Sequence, residues 1–142
     1  MYDANLIAKY IVNRCSDTNK PISNLKLQKI LYFVQAGFLV NKGEPCFSNE
    51  IKAWDYGPVA PDVYHEYKMY GSANIPKIEN KSGFSVISKE DKVQLDSIID
   101  KTAKYSASTL VEITHRQSPW KQAHQRGNAT IYPNAIKEYF ES

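Results

Sequence analysis

Cysteine is scarce in this chain of 142 residues: Cys15 and Cys46 are too few for a disulfide scaffold. A domain of this length can bury roughly 70% of its unfolded surface without staples, so a reduced, cytoplasmic protein is expected. Histidine is scarce too. His65, His115 and His124 are scattered, and the last two lie nine apart across Pro119, which is not a helical ligand spacing, so no metal site is expected. There is no G-x-x-x-x-G-K-[ST], G-x-G-x-x-G, H-E-x-x-H or C-x-x-C, and no cofactor is expected. Long apolar runs are missing. The longest, Ile30 to Val40, has eleven residues, against about 20 for a bilayer span. The opening Met1-Tyr2-Asp3-Ala4-Asn5 carries an acid and no basic segment, unlike a signal peptide.

An excess of one charge is also absent. Eighteen Lys and Arg against fifteen Asp and Glu leave +3. The first 70 residues hold eight positive and seven negative charges, the remainder ten and eight, so neither half is a basic tail for nucleic acid or an anionic membrane. With 42% hydrophobic and 23% charged residues, the composition is that of one globular domain, 1–142. What the chain has in excess is tyrosine, ten against five Phe and two Trp. Tyrosine buries a ring while keeping a hydroxyl for water or a partner, and it is enriched at interfaces.

The periodicity predicts a mainly α (α+β) fold: about six helices around a central buried helix, with a small antiparallel β-hairpin insertion. Asp3 caps a helix to about Cys15, with Leu6, Ile7, Tyr10, Ile11 and Cys15 on one stripe. Ser23 caps a second, to about Asn41, stopped by Gly43. Leu27, Ile30, Leu31, Val34 and Phe38 form one face of it, and Leu25, Phe33 and Val40 another, so its neighbours enclose it. Lys29 lies near the second face and is expected to snorkel to the edge. A hairpin is expected from Phe47 to Tyr56 around Ser48-Asn49-Glu50, ended by Gly57-Pro58, and a third helix from Pro61 to about Tyr70. Phe84-Ser85-Val86-Ile87 reads as an extra strand. Ser88 opens a fourth helix with Leu95, Ile98, Ile99 and Thr102 inward. A fifth starts near Ser106 or Ser108 and ends at Ser118-Pro119-Trp120; a last one starts at Pro133, with Ile136, Tyr139 and Phe140 inward.

Catalytic chemistry finds little support. Cys15 sits on an apolar stripe as a small core residue. Nothing near Cys46 lowers its pKa, and Glu90-Asp91 suits a helix N-terminus better than acid–base work. A non-catalytic protein is expected. A DNA-reading helix–turn–helix fits poorly, because about seven residues join the first two helices where that motif takes three or four. The reading helix would also be mostly apolar, with Lys26, Gln28, Lys29 and Gln35 as its polar groups.

Three segments stand out: Lys26-Leu27-Gln28-Lys29-Ile30-Leu31-Tyr32-Phe33; Ala53-Trp54-Asp55-Tyr56-Gly57-Pro58-Val59 with Val63-Tyr64; and Leu110-Val111-Glu112-Ile113-Thr114-His115 with Pro119-Trp120. Gly57-Pro58 fixes a sharp strand-to-helix corner that presents Trp54, Tyr56 and Tyr64 together. Two readings stand for Trp54 and Trp120: rigid anchors for a partner, or core residues with internally bonded indoles. His115 reads as a satisfied structural histidine or as part of such a surface.

In this order, the K-L-Q-K-[IL]-L-Y-[FY] helix, the A-W-x-Y-G-P-V corner and the T-H…P-W segment resemble the Panacea domain of SocA-like antitoxins. The resemblance covers the chain from the first helix to Trp120. It implies a small bacterial or phage-associated antitoxin that neutralises a partner toxin, encoded by an adjacent gene, through direct binding. Carried over by position, the candidate partner-binding residues are Lys26, Gln28, Tyr32, Trp54, Tyr56, Gly57, Pro58, Tyr64, His115 and Trp120, with Val59 also matching the pattern. The alternative is a nucleic-acid-binding or phage-associated regulatory protein, motivated by the mild positive charge and the Lys26/Lys29 pair.

Overall fold

Asp3 accepts a hydrogen bond from the Asn5 backbone N–H at 2.7 Å and starts α1 (Ala4–Asp17), as expected from its short acidic side chain. A computed structural model describes residues 1–142. Ser23 caps α2 (Asn24–Lys42), and Gly43, in the left-handed conformation that glycine adopts without strain, ends it. There follow β1 (Ile51–Trp54), β2 (Gly57–Val59), α3 (Pro61–Tyr67) with a 3-10 turn over Lys68–Tyr70, and a 3-10 segment over Ser82–Val86. The chain closes with α4 (Lys89–Thr102), α5 (Ala107–His115), α6 (Ser118–Gln125), β3 (Thr130–Ile131) and α7 (Pro133–Glu141). Seven helices and a three-stranded antiparallel sheet, in the order β2-β1-β3, make a mainly α fold with a small β insertion.

The central place of α2 is borne out. It packs on α1, α3, α4, α5, α7 and β2, and Leu27, Ile30, Leu31 and Val34 are buried. Its second face is less enclosed: Phe33 is half-buried, and Leu25 and Val40 are exposed. The α1 stripe supplies Ile7, Ile11 and Cys15 to the same core, and α4 adds Leu95 and Ile99. Each such leucine or isoleucine side chain, taken out of water, contributes roughly 1.5–3 kcal/mol.

Several local expectations are corrected. The hairpin turns at Asp55-Tyr56, not at Ser48-Asn49-Glu50. Gly57-Pro58 therefore opens its second strand, and the sharp corner is a strand-to-strand turn rather than a strand-to-helix one. Pro58 is tolerated because β2 is an edge strand, where a missing N–H leaves no ladder bond unmade. Phe47 forms an isolated bridge with Tyr2, and the third strand comes from Thr130-Ile131, far along the chain. Residues 84–87 do not form a strand; a 3-10 turn occupies Ser82–Val86. The third helix ends at Tyr67 and tightens into the 3-10 turn. Pro119 does not only end α5: in the first turn of α6 its locked φ starts a further helix. Tyr139 is exposed rather than inward, while Ile136 is buried and Phe140 packs on the core. No helix is long and apolar enough to cross a membrane.

Candidate hairpin-tip interface

Neither Asp55 nor Tyr56 has a positive φ; the chain instead turns through Gly57 at φ 110°. Glycine is needed there for room as well. A Cβ would stand 2.7 Å from Lys29 Cε and 3.0 Å from Thr114 Oγ1. Lys29 does not snorkel to the edge. It is fully buried, and its Nζ donates to the Pro58 carbonyl at 2.9 Å. Burial in this apolar setting pushes its pKa down to about 7.

From outside, α5 and α6 clasp the same turn. The Trp120 indole N–H donates to the Trp54 carbonyl at 2.8 Å. His115 donates through Nε2 to the Asp55 carbonyl at 2.8 Å, and His124 through Nε2 to Asp55 Oδ1 at 2.9 Å. Those acceptors fix both imidazoles with the proton on Nε2. The Trp120 ring lies between the two histidines, with centroids 4.1 Å and 4.4 Å away and planes tilted by 30° and 20°. The pair that straddles Pro119 is thus brought together around one indole ring. No group of three His, Cys, Asp or Glu is placed to hold an ion.

The remaining candidates divide by depth. Gln28, Tyr32, Gly57 and Pro58 are buried and face the interior. Gln28 accepts from the Ala60 N–H and donates to Asn24, which donates to the Tyr64 carbonyl, so α2 positions β2 and α3 by polar contacts. Tyr32 donates to Gln117 Oε1 at 2.6 Å, tying α2 to the α5–α6 junction. Lys26 donates to the Ala103 carbonyl behind α4. Trp54 and Tyr64 are half-buried and meet edge to face at 5.1 Å. Tyr56 is 71% exposed. Trp54, Tyr56 and Tyr64, with Leu25, Val59 and Lys68, line a hollow of about 310 Å³ beside the turn. A slightly larger hollow beside β3 and the start of α7, about 360 Å³, is lined by none of the candidate residues.

Both thiols are buried, and desolvation pushes Cys15 up to about 11 and Cys46 to about 12, away from the thiolate form a nucleophile needs. The residues that the motifs did not single out for the site are Lys29, Asp55, Lys68, Gln117 and His124. The one readable signal was a lysine inside an otherwise apolar helical stretch.

The family model for the antitoxin SocA-like Panacea domain matches residues 27–121, from the central helix to the residue after Trp120. Antitoxin SocA of Caulobacter vibrioides (strain NA1000 / CB15N) is 36% identical over an alignment of 132 positions, covering 83% of this chain and 68% of that protein. No solved structure matches. With the motif corner, its buried lysine and two of the three clasp residues, His115 and Trp120, inside the matched span, the chain belongs to the antitoxin SocA-like family and carries its Panacea domain.

Proposed function

We propose that this protein neutralises a partner toxin by binding it directly, at the surface around the β1–β2 turn. The observation that carries the reading is the state of that turn. Buried Lys29 below and His115 and Trp120 outside hold its backbone, His124 holds the Asp55 side chain, and an unpaired tyrosine, Tyr56, stands clear at its tip. A rigid aromatic on a fixed backbone loses little conformational entropy on binding, the usual trait of an anchor residue. In this reading Trp54, Tyr56 and Tyr64 meet the partner. Gln28, Gly57, Pro58, His115 and Trp120 position them, while Lys26 and Tyr32 fasten α2 to its other neighbours. No step in the action is chemical.

Co-expression with the toxin encoded by the adjacent gene tests it. Wild type should restore growth and co-purify with that toxin, and Tyr56→Ala should do neither while remaining folded. Rescue without a complex, or full rescue by Tyr56→Ala, counts against direct binding through this turn.

A further inference from the structure

The hollow beside the turn has a one-sided charge. Of its ten lining residues, Lys68 is cationic and none is a carboxylate. Lys68 is exposed and makes no ion pair. The acid at the turn itself, Asp55, is engaged by His124. Asp62 accepts from Asn49, and with Glu66 it lies a half-turn or so away from Tyr64 on α3. The apolar walls of the hollow are Leu25, Trp54, Val59 and the rings of Tyr56 and Tyr64. About 310 Å³ is at the small end of ligand-site volumes, room for one or two side chains rather than a folded element.

The geometry points to a defined occupant: a segment of the partner protein in which an apolar side chain fills the hollow and an adjoining carboxylate meets Lys68. This rests on the binding role proposed above and gives its partner a chemistry. Apolar walls supply the affinity of such a site, and the lone unpaired ammonium supplies its sign preference. Nucleic acid fits less well. A base could stack on the rings, but phosphate tracking takes a row of cations where the hollow has one.

The test is a titration of the isotope-labelled full chain with three probes, followed by NMR at the Trp54 indole and the Leu25 and Val59 methyls. The probes are N-acetyl-Ala-Phe-Glu-Ala amide, its Phe-Lys counterpart and a five-residue oligothymidylate. The acidic peptide should give saturable shifts at these groups, with the lysine peptide weaker by about fivefold. Lys68→Glu, an exposed change that leaves the fold intact, should reverse that order. Three outcomes overturn the proposal: no saturable shift at millimolar acidic peptide, equal affinity for both peptides, or strongest binding by the oligonucleotide. Failure here is separable from failure of the antitoxin reading. A toxin complex that Tyr56→Ala abolishes, without any acidic preference, removes only this inference. Acidic preference without toxin rescue removes only the antitoxin role.

Discussion

Trp120 and Trp54, sixty-six residues apart, are joined by one hydrogen bond from the first indole to the second's backbone carbonyl. The two tryptophans thus play unlike parts. Trp120 is a buttress whose polar atom is used internally, and Trp54 supplies a backbone acceptor while its ring leans on Tyr64. Trp120→Phe keeps a flat ring between the imidazoles but leaves the Trp54 carbonyl without its donor, and should cost about 1–2 kcal/mol. Trp54→Phe keeps that bond and should cost less. Urea denaturation of the two variants gives the comparison, and a larger loss for Trp54→Phe would contradict the assignment.

Gly57 and Gly43 separate backbone strain from crowding. Both have positive φ, 110° and 76°, but a Cβ on Gly43 meets nothing within 4 Å, whereas one on Gly57 meets Lys29 and Thr114. Gly43→Ala should lose about 1 kcal/mol. Gly57→Ala adds the collision with a buried side chain and should lose about 3 kcal/mol or more. Equal losses would mean that Lys29 moves aside freely.

Lys29 makes stability depend on pH in a definite direction. Its folded pKa, about 7, lies below the ordinary lysine value. Above about pH 7 the unfolded chain therefore holds a proton that the folded chain has released, and stability rises with pH by at most about 1.4 kcal/mol per unit. Cys15 and Cys46, raised by burial, oppose this once unfolded thiols ionise near about pH 8.5. Between about pH 7 and 8.5 the lysine acts with little interference. Lys29→Met should flatten the rise in urea midpoint across that window; an unchanged slope would show that the amine stays protonated.

At the acid end, Asp91 has the matching role. Burial pushes its carboxyl up, but hydrogen bonds from Lys42 Nζ at 2.7 Å and from the Tyr2 hydroxyl outweigh this and hold it below the usual carboxylate range. Its contribution is present above the ordinary carboxylate value of about 3.9 and is lost as pH falls through the lowered folded value. Asp100, held down by Arg14, acts in the same sense. Asp91→Asn should make the fall in stability between about pH 5 and 3 shallower without abolishing it. The same fall in variant and wild type would leave Asp91 without a titrating role.

Local chemistry made the helices legible. Asp3, Ser23, Ser88 and Ser106 each cap through their own side chain, and the apolar spacing of Leu27 to Phe38 placed α2 at the centre. The Ser88 cap also shows where such reading stops. Asp91 looks like its reciprocal partner, but the Ser88 N–H donates to the Tyr2 hydroxyl and the Asp91 carboxylate turns to Lys42 and Tyr2. The proposed surface was half legible: Trp54, Tyr56, Gly57, Pro58, His115 and Trp120 do meet at one turn, but Lys26 reaches Ala103 and Tyr32 reaches Gln117 instead, and the depth of each depends on pairings with no sequence-local signal. Asp55 and His124 are 69 apart, and Thr130-Ile131 pairs with β1 across some 80 residues. Lys29 was misjudged because snorkelling is the cheaper course for a lysine unless a carbonyl such as that of Pro58 waits inside.

Tyr32 and Tyr56 belong to the same set of motif residues and should behave oppositely. Tyr32 is fully buried, with its hydroxyl on Gln117, itself buried, so Tyr32→Phe strands an amide oxygen and should lose about 1–2 kcal/mol. Its effect on toxin binding should then be indirect and disappear under conditions where the variant is fully folded. Tyr56 is exposed and has no hydrogen-bond or ring partner, so Tyr56→Ala should stay within about 0.5 kcal/mol of wild type. Its effect on a toxin complex should appear as faster dissociation at every temperature at which the protein is folded. Thermal melts beside dissociation kinetics give four numbers, and the assignment requires them to cross. If both variants lose stability together, or both keep the complex, Tyr56 is not an anchor.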